Sequence, residues 1–205
     1  MNRKTAFDFA YEEFKKTLGQ NLSKNDPKYR WILSLANSLI IKDLNTHIHS
    51  LNVANNSLEI AKKLSLSDSE QKKAFISGYL HDIGKVYVDT TLLNSPKPLS
   101  KNEFEKIKPH PEQGGNILNS IPPLKEYKNI VKSHHERYDG KGYPNGISGE
   151  NIPIQSRIIS VADSYDAMIN RPYAHKTNIE ALDEINKHSA HQFDRNVSNA
   201  FFNMF

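Results

Sequence analysis

The sequence predicts an all-α fold, and three features support that class. Between residues 43 and 64, apolar residues recur with the spacing of one face of a helix. They are Leu51, Ala54, Leu58, Ala61 and Leu64. Three Ser/Thr residues, each followed by Glu three positions later, have the form of capping boxes that begin helices. The pairs are Ser67–Glu70, Ser100–Glu103 and Thr177–Glu180. A helical pattern returns over residues 154–169.

The first part of the chain, residues 1–42, is expected to form one or two helices with a turn near Pro27. A length of 205 residues is typical of one domain with a buried core. We therefore predict an N-terminal helical extension over residues 1–42, followed by one catalytic domain over residues 43–205.

The segments between the predicted helices are marked by helix-breaking residues. The helix that begins after Ser67 is expected to run towards His81, and Gly84 is expected to help end it. Residues 86–99 contain two prolines and are predicted to form a loop or a short extended segment. Residues 139–153 contain four glycines and two prolines, a density that predicts a loop.

Composition restricts the kinds of site and partner. The chain has no Cys, which excludes disulfides and thiolate metal ligands, so any metal must be held by His and carboxylate side chains. The formal net charge of +4 mildly favours anionic ligands. Because the basic residues are scattered along the chain, we expect no binding of a nucleic-acid polymer.

No segment has the pattern of a leader or a membrane span. Residues 1–10 are polar where a signal peptide needs an apolar core. The longest apolar stretch, residues 32–41, is interrupted by Ser34, Asn37 and Ser38 and is too short to cross a bilayer. We therefore expect a cytoplasmic protein that does not bind membranes.

The residues that carry chemistry are paired histidines and aspartates. His81 and Asp82 are adjacent at a predicted helix end, and His134 and His135 are adjacent before the glycine-rich loop. Adjacent residues on a helix point about 100° apart, so such a pair can serve two metal ions or leave one residue to support the other. Imidazole and carboxylate ligands suit iron, manganese, zinc or nickel. Two ions about 3.5–4 Å apart can clamp a phosphate group for displacement.

Read together, these pairs resemble the HD-GYP domain family. The segment HDIGK at residues 81–85 matches the family's HD-x-GK element, and HHERYDGKGYP at 134–144 matches its long GYP element. The shorter segments KPHPEQG at 108–114, VADSYDA at 161–167 and RPY at 171–173 follow the family's order. Upstream, Thr46 and His49 are similar to its first-ligand segment. The resemblance covers residues 43–205.

The resemblance implies an HD-type helical bundle around a centre of two or three metals. Carried over position by position, the implied ligands are His49, His81, Asp82, His110, His134, His135 and Asp163. Asp82 would bridge the metals, which in this reading are divalent iron or manganese. The family's usual substrate, a bacterial signalling nucleotide, is cyclic di-GMP, cleaved to the linear dinucleotide pGpG and often on to GMP.

The resemblance also suggests residues that act on the substrate. Lys85 could neutralise charge on the phosphate or assist the leaving group. Arg171 could contact a phosphate through two hydrogen bonds, and Tyr143 could stack on a guanine or hydrogen-bond to the ligand. Asp166 could orient a ligand histidine. Ordinary structural roles for these four side chains remain open.

The chain departs from the family in three places. The spacing from Asp166 to Arg171 is one residue shorter than usual, and Ala174 stands where a basic residue is common. Both changes affect the segment expected to hold phosphate. Members with three metals carry a glutamate four residues before the first histidine, where this chain has Asn45. A neutral amide is a poor partner for a third dication, so we predict two metals per chain.

Two alternatives to a cyclic di-GMP phosphodiesterase remain open. One is a phosphohydrolase of another cyclic dinucleotide. The other is an inactive domain that senses cyclic di-GMP or docks on a signalling partner through the glycine-rich loop, with a homodimer as a further form of assembly. Because all seven candidate positions hold residues that can bind metal, the sequence favours an enzyme.

Overall fold

The computed structural model describes residues 12, 14–17, 26–42, 44–93, 95, 97–170 and 176–205, without the side chains of residues 40–45. Ten α-helices have described bounds, residues 12 and 14–17 are also helical, and the described residues contain no β-strand, so the predicted all-α class is confirmed. The helices are α1 Pro27–Lys42, α2 Leu44–Lys63, α3 Asp68–Leu80, α4 Thr90–Leu93, α5 Lys101–Ile107, α6 His110–Ser120, α7 Lys128–Lys132, α8 Ile154–Asn170, α9 Asn178–Lys187 and α10 Arg195–Phe202. Short 3-10 helices span Ile83–Tyr87, Pro122–Tyr127 and Gly149–Asn151.

The helix starts follow the local sequence signals. At each of the three predicted capping boxes, the Ser or Thr oxygen accepts from the backbone N–H of the Glu, whose carboxylate accepts from the cap residue's N–H. These boxes begin α3, α5 and α9. Satisfying backbone donors at a helix start stabilises the helix by about 1 kcal/mol for each cap. The observed cap hydrogen bonds confirm all three predicted helix starts.

The expectation that Gly84 ends the third helix is wrong. That helix ends at Leu80 with His81 as its C-cap, and Gly84 lies inside the following 3-10 helix. A Cβ atom on Gly84 would lie 1.9 Å from the His110 carbonyl oxygen. Glycine is needed here because two backbone segments approach closely, and each of them carries proposed metal ligands.

The segment 86–99 is more helical than its prolines suggested. Residues Thr90–Leu93 form a single helical turn. The Asp89 carboxylate accepts hydrogen bonds from the Thr91 N–H and the Thr91 hydroxyl, both at 2.8 Å. This local capping bond favours a turn of helix in a stretch predicted as loop. The glycine-rich segment 139–153 is a loop as predicted, with one short 3-10 turn.

Helices α2 and α3 lie at the centre and separate two apolar clusters. The first cluster joins α1, through Ile32, Leu33 and Ala36, to Phe75 and Tyr79 of α3. The second joins α2 to α8, α9 and α10. Because α1 belongs to the same core as α3, it is fixed to the helices that carry the site. The proposed division between residues 42 and 43 stays a prediction.

Among the helices that the structure describes, none is both long and apolar enough to cross a bilayer. The expected cytoplasmic location stays a prediction.

Candidate metal centre

The fold brings together all seven residues that the sequence suggested as metal ligands. They come from five separate segments: the middle of α2, the end of α3, the start of α6, the residues after α7, and α8. Their ligand atoms form three overlapping groups, and within each group the atoms lie within 4.8 Å of one another. The groups are His49–His81–Asp163, His81–Asp82–His134 and His110–His134–His135.

Asp82 lies at the centre of these groups and is 1% exposed. Its two carboxylate oxygens face different histidines: Oδ1 is 3.2 Å from His110 Nε2, and Oδ2 is 3.2 Å from His81 Nε2. Oδ2 is also 3.8 Å from His49 Nε2. A carboxylate in this position can present one oxygen to each of two cations.

Three histidines are oriented by the same backbone contact. In each, ring Nδ1 bonds to the carbonyl oxygen of the residue three positions earlier. The bonds are His81 to Gly78 at 2.7 Å, His110 to Ile107 at 2.8 Å and His134 to Val131 at 2.6 Å. A carbonyl oxygen only accepts, so Nδ1 carries the proton and Nε2 is left with a lone pair.

Four of the inward nitrogens face carboxylate oxygens or one another, in a pocket that the side chains close off from solvent. His110 Nε2 and His134 Nε2 lie 3.3 Å apart, and neutral rings that carry their proton on Nδ1 would each direct a lone pair to this point. His49 Nε2 and His81 Nε2 are also buried, and they lie beside carboxylate oxygens of Asp163 and Asp82 respectively. Imidazole nitrogens and carboxylate oxygens that converge within a few ångströms are the ligand atoms that a divalent cation takes. The donor set therefore fits divalent metal ions held by imidazole and carboxylate.

Asp166 supports His49 from the side away from this centre. Its Oδ2 lies 2.6 Å from His49 Nδ1, and its Oδ1 accepts from the side-chain amides of Asn52 at 2.8 Å and Asn170 at 2.7 Å. This arrangement fits the proposed orienting role of Asp166. The two asparagines were missed in the sequence, although Asn52 lies three residues after His49 and Asn170 four residues after Asp166, so each pair shares a helix face.

The electrostatic environment keeps three of these ligands, His134, His135 and Asp82, in their metal-binding forms. Desolvation and the neighbouring histidines lower the pKa of His134 well below its usual value, and desolvation lowers that of His135 to about 3. Burial alone would raise the pKa of Asp82, but His81 and Lys85 outweigh it and lower that pKa well below its usual value. Neutral imidazoles beside an ionised carboxylate are the states that bind metal.

His49 differs from the other histidines. Burial lowers its pKa, but contacts with Asp163 and Asp166 outweigh burial and raise the pKa to about 9. Its Nε2 lies 3.1 Å from Asp163 Oδ1. His49 and Asp163 thus form an ion pair in the absence of a metal, and His49 must release a proton to become a ligand.

Lys85 and Tyr143 lie beside the proposed ligands. The Lys85 Nζ atom is 2.5 Å from Asp82 Oδ2, and its side chain is 14% exposed. The Tyr143 ring lies against that of His135, with centroids 5.0 Å apart and planes inclined by 30°. Arg171 lies outside the described residues, as do Tyr173, Ala174 and His175.

The glycine-rich loop is folded tightly against the metal centre. A Cβ atom on Gly142 would lie 2.3 Å from Arg137 N and 2.6 Å from His135 O, so only glycine fits there. The buried Glu136 accepts from Asn145 N at 2.7 Å, and Arg137 makes two hydrogen bonds to Asp139. These contacts hold Tyr143 at the ring of a proposed ligand. The structural role of Glu136 was not identified from the sequence.

Comparison with known proteins finds relatives that contain an HD domain. A family model described as "HD domain" matches residues 28–197. A cyclic di-GMP phosphodiesterase of Thermotoga maritima is 36% identical over 178 residues, covering 84% of this chain and 48% of that protein. The 3'3'-cGAMP-specific phosphodiesterase 3 of Vibrio cholerae is 36% identical over 146 residues. The match covers 69% of this chain and 32% of that protein. The chain thus spans about half, or less, of the length of these relatives.

Among solved structures, Bd1817, a HDG"Y"P protein of Bdellovibrio bacteriovorus, superposes with a TM-score of 0.70 at 17% identity. The match covers 97% of this chain and 68% of that one. At this identity the likeness concerns the helical fold alone.

Proposed function

Because the chain belongs to the HD domain family and carries the sequence elements of its HD-GYP branch, we propose that it is a metal-dependent phosphodiesterase that hydrolyses cyclic di-GMP to linear pGpG. The observation that carries the proposal is the convergence of seven His and Asp side chains from five segments, whose ligand atoms form three overlapping groups around the buried Asp82 carboxylate. The similarity to curated cyclic dinucleotide phosphodiesterases supports this substrate class.

In this proposal, two divalent ions, iron or manganese, share the central carboxylate. His49, His81 and Asp163 would hold one ion, and His110, His134 and His135 the other, with Asp82 common to both. When bound, the ions would polarise the phosphodiester and activate water.

The surrounding residues would orient the substrate and stabilise its charge. Lys85 lies at the edge of the Asp82 carboxylate, where its ammonium can reach a phosphate held at the same point. Arg171 is proposed to bind a phosphate, and Tyr143 to contact the nucleotide. A homodimer, or a partner docked on the glycine-rich loop, stays a prediction.

We expect Lys85→Ala to lower kcat by about 10²–10³ while the metal content stays near that of the wild type, by analogy with the removal of one oxyanion donor. The ammonium would act mainly on charge that develops in the transition state. Steady-state kinetics and elemental analysis of the same preparation measure both quantities. Lys187→Ala, which changes an exposed lysine on α9, is the matched control. A change confined to KM would assign Lys85 to substrate binding alone.

We expect two metal ions per chain. The prediction depends on Asn45, which lies one helical turn before His49. The side chain of Asn45 is outside the described part of the structure. A neutral amide does not offset the repulsion between a third dication and its neighbours. Elemental analysis of protein purified with iron or manganese gives the number directly. A stoichiometry of three, reduced to two by Asn45→Ala, would contradict the prediction.

The decisive experiment is turnover of cyclic di-GMP by metal-loaded protein, with products separated by chromatography. A second candidate substrate is a mixed cyclic dinucleotide, because the Vibrio cholerae relative is named for 3'3'-cGAMP. Both compounds should be tested at equal concentration. Tight binding without turnover of any cyclic dinucleotide would favour the sensor alternative.

A further inference from the structure

Helix α5 borders the metal centre but buries none of its residues. The carbonyl oxygen of Ile107, its last residue, bonds to Nδ1 of the proposed ligand His110 at 2.8 Å. Phe104 lies one turn earlier and is 42% exposed. A helix that is fixed at the metal centre thus presents an aromatic ring to solvent.

The Phe104 ring connects to the metal centre through Tyr143. The Phe104 and Tyr143 centroids are 6.2 Å apart with planes at 90°, and Tyr143 in turn packs on His135. Lys108 adds a positive charge, with its Nζ atom 5.7 Å from the Tyr143 centroid. A series of ring contacts therefore runs from a proposed metal ligand to an exposed aromatic side chain with a cation beside it.

We propose that Phe104 is a substrate-binding residue that stacks on one purine base of the cyclic dinucleotide. This inference rests on the proposed function. Two rings at a right angle form a corner in which a planar base can lie flat on one ring while its edge meets the other. The Tyr143 ring is already engaged by His135, whereas the Phe104 ring is partly open. The Lys108 ammonium pairs with the Glu105 carboxylate at 3.2 Å, and because this pair is exposed the lysine can turn towards a phosphate bound beside Tyr143.

Exposure alone would not support this role, because single exposed apolar residues are ordinary. Ile179 on α9, for example, is 72% exposed. Phe104 differs in two respects. Its ring meets Tyr143, which packs on the proposed ligand His135, and its helix ends at the carbonyl group that orients the proposed ligand His110. Every base offers a π-face, so this subsite would add affinity without choosing strongly between purines.

The test is binding of a hydrolysis-resistant phosphorothioate analogue of cyclic di-GMP to manganese-loaded protein. We expect Phe104→Ala to raise Kd by about tenfold, the scale of one base–aromatic stack. Phe104→Trp retains an aromatic face and is expected to stay within about twofold of the wild type. Ile179→Ala is the control for loss of an exposed apolar side chain. Metal content is measured in each variant, because Phe104 lies near the backbone bond to His110.

The outcomes separate this subsite from the proposed function. An unchanged Kd in Phe104→Ala would overturn the subsite, and turnover of cyclic di-GMP by the same protein would leave the proposed function standing. Equal affinities for Phe104→Ala and Phe104→Trp, or metal loss in Phe104→Ala, would also overturn it. A tenfold higher Kd in Phe104→Ala, together with no turnover of cyclic di-GMP by the metal-loaded wild type, would support the subsite and reject the enzymatic function. Failure of the wild type to bind the analogue would reject the subsite.

Discussion

Asp82→Ala is expected to abolish detectable hydrolysis of cyclic di-GMP and to remove most of the bound metal. The Asp82 carboxylate is buried, and its two oxygens face histidines from different sides of the centre. Without it, Asp163 would be the only carboxylate among the proposed ligands, and no anionic group would lie between the two dications to offset their repulsion. Removing a single oxyanion donor lowers kcat by about 10²–10³, and a shared ligand should cost more. Elemental analysis and turnover on one preparation measure both effects.

Two further variants separate this role from a general effect on folding. Asp82→Asn keeps the shape of the side chain but removes its charge, and it is expected to lose metal nearly as completely. Asp183→Ala removes an exposed carboxylate on α9 and is expected to behave like the wild type. Circular dichroism establishes that each variant is folded. Two metals per chain with near-normal turnover in Asp82→Ala would reject the shared-ligand role.

Gly84→Ala is expected to destabilise the fold by about 3 kcal/mol or more and to weaken metal binding, since overpacking usually costs about 1–3 kcal/mol. The added Cβ would meet His110 O at 1.9 Å and Gly114 N at 2.7 Å. Both atoms belong to backbone, so no side-chain rotation relieves the clash. The segment that carries His110 must move away from the segment that carries Asp82. Urea unfolding of metal-free protein gives the free energy without the contribution of bound metal.

Gly149→Ala is the matched control for this variant. Its φ of +59° disfavours alanine, but no other atom lies within 4 Å of the added Cβ. The expected loss is therefore the conformational cost alone, about 1–2 kcal/mol. Equal destabilisation by the two substitutions would show that close backbone approach at Gly84 is not the cause.

The sequence by itself determined the features that depend on neighbouring residues. The boxes at Ser67, Ser100 and Thr177 predicted three helix starts because a cap requires only residues three positions apart. The breakers over residues 139–153 predicted the loop for the same reason. The resemblance to the HD-GYP family, which rests on the paired motifs and their order, implied seven candidate ligands, all of which the fold brings together.

Tertiary structure alone decided how those ligands are supported. Gly84 does not adopt a positive φ, so its backbone conformation does not demand glycine. The need for glycine arises because the segment that carries His110 packs directly against it. The Asp166 carboxylate accepts a hydrogen bond from Asn52, which lies on another helix more than a hundred positions away in the chain. Phe104 meets Tyr143, which belongs to a separate segment later in the chain. Contacts of this kind arise from packing between distant segments, whose distances and orientations no local pattern encodes.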